Sequence, residues 1–149
     1  MSGSVDWLAQ WGRSLFERQR VPVEWAGKVV EAASVHLGKP AEIEAAVALA
    51  QDRTQWPTGR AVFDETRRRG LAPNQPFTAA ESLYFRLAEL VAKLAHNAAG
   101  PPPPFDYHAG WQVGPIAYRL ALEVGDPALR DHLAAALGDW PDHPDPMIL

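Results

Sequence analysis

Thr78-Ala79-Ala80-Glu81 is a capping box, in which a threonine hydroxyl and a glutamate carboxylate each satisfy a backbone N–H at a helix start. Leu83, Leu87, Leu90, Val91 and Leu94 follow at helical spacing, and Gly100 with the run Pro101 to Pro104 closes the segment. The pattern predicts a long helix over 79–99. Phe85, Glu89, Ala92 and His96 line a second face opposite the leucines. A helix with apolar residues on two sides is central in a bundle or has one side on a partner; the plainer alternative is a solvated face carrying a single exposed phenylalanine.

The rest of the chain is punctuated in the same way. Ser4 caps a helix of about 5–18, with Trp7, Trp11 and Leu15 on one face. Pro22 precedes a helix of about 23–37 whose stripe is Trp25, Val29, Ala32, Ala33 and His36, and Gly38 supplies its left-handed stop. Pro40 opens a third helix through Ile43, Val47 and Ala50. Residues 52–58 read as a loop, 59–69 as a short helix ending in Arg67, Arg68 and Arg69, and 71–77 as a second loop. Another helix covers part of 107–124, with Pro115 either kinking it or marking its start. Asp126-Pro127 opens a last helix to about Leu137. No strand pattern competes, and there is no internal repeat. The expected fold is all-α: a compact single-domain bundle of six to seven helices over 1–139, followed by a Pro-rich tail, 140–149.

Composition narrows the function classes. A formal net charge of −4 argues against a nucleic-acid partner, and the absence of cysteine removes disulfide, thiol and thiolate chemistry. No apolar run reaches the roughly 18 residues of a membrane span, and no signal peptide is visible at the start. The expected setting is cytoplasmic, away from membranes.

Candidate site residues cluster behind the proline run, in Phe105-Asp106-Tyr107-His108-Ala109-Gly110-Trp111. A stiff proline strut presents these groups rigidly, as a binding or catalytic site requires. Glu123 falls on the face of Ile116, Leu120 and Val124, where a carboxylate carries a raised pKa suited to acid–base work, unless it pairs with Arg119 one turn earlier. Asp106, His108 and Glu123 are therefore the candidate catalytic groups. His36, Tyr107, Trp111, Tyr118 and Trp25 are the candidate ligand-binding groups. His108 and Glu123 share a pocket only if the chain breaks between Trp111 and Pro115; a straight helix separates them by roughly 20 Å. His36 alternatively reads as a core histidine held by a backbone carbonyl. Trp56 and Trp140, each next to a proline, are placed in loop and tail as candidates for a partner surface. The three arginines at 67–69 read as a solvated helix end or as an anion site.

No HExxH, Glu-x-x-His or His-x-x-x-His pattern occurs, so no metal or other cofactor is expected; a metal centre would need Asp106, His108 and a distant group such as His36. Two functions fit these features. One is a small-molecule-binding protein, in its catalytic form a cofactor-free acid–base enzyme of isomerase, cyclase or hydratase type. The other is a non-enzymatic interaction or regulatory module that forms a homodimer or docks a partner. The purified chain, washed with a chelator, is expected to hold no stoichiometric transition metal by elemental analysis. A stoichiometric ion would instead make Asp106 and His108 ligands.

Overall fold

The computed structural model describes residues 20–71, 77–100 and 109–137. They form α1 (Arg20–Leu37), α2 (Ala41–Gln51), a 3₁₀ helix η1 (Arg53–Thr58), α3 (Gly59–Gly70), α4 (Ala79–Ala99), α5 (Ala109–Val124) and α6 (Pro127–Leu137), and no strand occurs among the described residues. The fold is an all-α bundle. The helix expected over 5–18 and the tail expected over 140–149 lie outside the described residues.

The capping box forms as its spacing demands. Thr78 N–H donates to Glu81 Oε1 at 3.0 Å, and Glu81 N–H donates to Thr78 Oγ1 at 3.1 Å. These hydrogen bonds favour the charged carboxylate and hold the Glu81 pKa below its ordinary value. The helix they open is roughly 32 Å long, the width of a small domain. It packs against α1, α2, η1, α3 and α5, and α6 closes the bundle by packing on α1 and α5. Phe85 and Ala92 are as buried as Leu87, Leu90 and Val91. The second face of α4 is therefore a packing surface, and the reading of a solvated face is set aside.

Two turns carry a positive φ, Gly38 (89°) after α1 and Gly125 (73°) after α5, in the left-handed region that glycine enters without steric cost. Tyr84 crosses from α4 to donate its hydroxyl to the Gly38 carbonyl at 2.6 Å. Burial raises its pKa, so the phenol stays protonated as a donor. Asp126 Oδ1 accepts from the Ala128 N–H at 2.9 Å and caps α6, with Pro127 at the first helical position.

Two local expectations fail. Residues 52–58 are not an open loop: Asp52 caps a 3₁₀ turn through the Thr54 N–H, and Trp56 is buried, its Nε1–H donating to the Leu49 carbonyl at 3.0 Å. Trp56 is thus a core residue and no part of a partner surface. The helix over 109–124 is continuous through Pro115, so the proline does not mark its start. Proline removes one backbone donor there, and burial of Val113, Ile116, Ala117, Leu120 and Ala121 outweighs that loss.

α3 and α4 approach at backbone contact. A Cβ placed on Gly59 lies 2.6 Å from the Ala92 carbonyl oxygen and 2.7 Å from the His96 amide nitrogen. Both are main-chain atoms of a buried helix and cannot step aside. Gly59→Ala is expected to destabilise the fold by about 1–3 kcal/mol, read as a lowered midpoint in urea denaturation. A neutral result would show that α3 can slide on α4.

Candidate functional site

Most of the expected pocket around residues 105–123 cannot be placed on the described residues. Asp106, Tyr107 and His108 lie outside the described residues, as does the Trp111 side chain. Glu123 is exposed, and not a buried carboxylate on the apolar stripe of α5. The stripe is narrower than 100° counting suggests: Leu120 is buried and Val124 only half-buried, and position 123 turns to solvent. With α5 continuous from Ala109, Glu123 sits roughly 21 Å along the axis from the helix start. The break that a shared pocket required is absent. Tyr118 lines a groove with Ala117, Ala121, Leu133 and Leu137 whose volume is about 20 Å³, the space of one water and too small for an organic ligand. Trp25 is half-buried against the core.

His36 is not a core histidine held by a carbonyl. Its side chain is 19% exposed, its Nε2 lies 3.3 Å from His132 Nδ1, and its Nδ1 lies 4.0 Å from Asp126 Oδ2. Among the described residues, no group of three or more His, Asp or Glu side chains converges as a metal site.

A cleft opens instead where the C-terminal end of α3 faces the first half of α4. Arg67, Gly70 and Leu71 form one wall, Ser82, Phe85, Arg86 and Glu89 the other, and Phe77 lies at the mouth of α4; the volume is about 210 Å³. Helical spacing puts Ser82, Phe85, Arg86 and Glu89 on one side of α4. Phe77 and Phe85 pack ring on ring, centroids 4.5 Å apart, and give the cleft an apolar surface.

The polar groups are paired but not saturated. Glu89 has a side chain only 13% exposed, and Arg67 Nη1 stands 3.9 Å from its Oε1. Burial raises the Glu89 pKa, and the cations Arg86, Arg67 and Lys93 offset only part of that rise. Arg86 Nη2 donates to Gln112 Oε1 of α5 at 3.0 Å, which fixes the guanidinium, while its buried Nε has no hydrogen-bond partner in the protein. A buried unpaired donor costs about 1–3 kcal/mol. The arginine run at 67–69 is not a free anion patch: Arg67 faces Glu89, Arg68 pairs with Glu65, and Arg69 faces Glu42.

Sequence reasoning placed Phe85 and Glu89 together and missed their partners. The missing signal was long-range, since Arg67 comes from another helix and Gln112 from a third. Compared with protein families, curated proteins and solved structures, the chain matches none.

The Glu89 pKa gives a signed prediction. The folded chain holds this proton more tightly than the unfolded chain. The group's full contribution to stability is therefore present below the ordinary value of 4.5 and is lost as pH rises through the raised folded value. Glu89→Gln, which mimics the protonated acid, is expected to be at least as stable as the wild type at pH 7. The difference should vanish in melts below pH 4.5. A variant less stable at pH 7 would show that the ion pairs outweigh desolvation.

Proposed function

We propose that this chain binds a small organic carboxylate in the α3–α4 cleft and that Glu89 exchanges a proton with it. The observation that carries this reading is a cleft that brings Arg86 and Arg67 together with a half-buried carboxyl and two phenylalanine rings. A carboxylate oxygen accepts charge-assisted hydrogen bonds from the arginine side chains that line the cleft. Phe77 and Phe85 cover an apolar body. A cleft of about 210 Å³ is below the range of about 300–1,000 Å³ typical of drug-sized ligands, so the ligand is small.

Glu89 then has the properties of a general acid–base group. Its raised pKa brings proton affinity toward neutral pH, where a carboxyl both takes and returns a proton efficiently. Arg67, at 3.9 Å, is near enough to stabilise the ionised form and too far to lock it in a tight hydrogen bond. Such a pair suits cofactor-free proton transfer on a carbon acid, the chemistry of isomerases and hydratases.

The test is calorimetric titration with benzoate and phenylacetate, with benzamide as the neutral analogue. Carboxylates are expected to bind and the amide not. Arg86→Gln should weaken binding by about 10- to 100-fold, the worth of a hydrogen bond to a charged group. A second anion beside Glu89 raises its pKa further, so binding should take up protons. Heats in buffers of different ionisation enthalpy measure that uptake, which should disappear in Glu89→Gln. Equal binding of amide and carboxylate, or uptake that survives Glu89→Gln, refutes the reading.

A further inference from the structure

Elsewhere in the bundle, the last turn of α1 meets α6. His36 Nε2 and His132 Nδ1 face each other at 3.3 Å from residues 96 positions apart. The rings are nearly perpendicular, at 74°, with centroids 5.4 Å apart. Two imidazole nitrogens bound to one tetrahedral ion at ~2.0–2.1 Å are separated by about 3.3–3.4 Å. The pair is thus spaced to hold an ion without moving either helix. The same distance serves an N–H···N hydrogen bond when no ion is bound.

The surroundings favour the ion. His36 Nδ1, the nitrogen turned away from His132, lies 4.0 Å from Asp126 Oδ2. A carboxylate on the Nδ1 side of the ring favours the tautomer that keeps Nδ1 protonated and leaves Nε2 free to coordinate. Asp126 is itself held by its cap to the Ala128 N–H at 2.9 Å. His132 is exposed, so water can reach the remaining coordination positions.

We infer that His36 and His132 form a two-histidine site for a divalent transition-metal ion that staples α1 to α6, with Asp126 orienting His36. The site is distinct from the α3–α4 cleft. With only two protein ligands it exchanges its ion readily, and a chelator strips it. Imidazole ligands select borderline ions, so Cu²⁺ binds tightest, Ni²⁺ and Zn²⁺ follow, and Mg²⁺ and Ca²⁺ do not bind.

The experiment is a thermal melt of the whole chain titrated with Zn²⁺, Ni²⁺ or Mg²⁺. At ten times the dissociation constant, the folded-to-unfolded ratio should rise about elevenfold for Zn²⁺ and Ni²⁺. His36→Gln and His132→Gln should each abolish the rise, and His143→Gln should keep it. No rise in the wild type, or a rise surviving in both variants, overturns the proposal. Should either variant fail to fold by circular dichroism, the unmodified chain decides. Substoichiometric Cu²⁺ should broaden two of the five histidine ring signals in the NMR spectrum first. Early broadening at any other number of histidines overturns the site.

Discussion

α4 is flanked by α1, α2, η1, α3 and α5, so beyond its exposed first turn a polar side chain on it is at least partly buried until the helix ends. Tyr84 takes one solution and spends its hydroxyl on the Gly38 carbonyl. Arg86 takes another and is half-satisfied by Gln112. Glu89 takes a third, with charge held in partial burial among cations that do not quite touch it. In a medium less polarisable than water, each arrangement is stronger where complete and costlier where incomplete. The chemistry available to this protein follows from how these buried polar groups are left.

The cleft's position follows from side-chain size along the α3–α4 seam. At one end Gly59 brings the backbones together at Ala92 and His96. At the other, arginine and phenylalanine side chains occupy the seam: Arg67 and Lys93 stand over the Phe63 ring at 5.9 and 5.1 Å, and Arg69 stands over Phe77 at 5.2 Å. Two helices in contact at one end and propped apart by bulk at the other leave a wedge between them. Close packing and the cleft are two consequences of one graded seam.

The elements were legible in the sequence wherever a local rule set them. The capping box at Thr78, Pro127 after Asp126, and the glycine at 38 each fix a helix end through atoms a few residues apart. The reading went wrong where distant packing overrode a local preference. Pro115 reads as a kink or a helix start, but a buried face on α4 and α6 keeps the helix continuous through it. Trp56 sits in a turn, but the Leu49 carbonyl accepts its indole N–H and buries it. The cleft was legible only as the pair Phe85 and Glu89 on one face of α4. The cation facing Glu89 and the acceptor for Arg86 come from Arg67 and Gln112 elsewhere in the chain, and periodicity carries no such information.

The contact between α1 and α6 joins segments separated by 96 positions. Contacts over such separations form late, because closing the intervening loop costs entropy before any burial repays it. On a ribosome, α1 emerges well before α6, and the part of its face that α6 covers stays open until α6 is made. A chain interrupted before Pro127 keeps most of its helices yet leaves α1 and α5 without the leucines at 129 and 133 that cover them. Among the described elements, the apolar cover of α1 and α5 is complete only once α6 has been made.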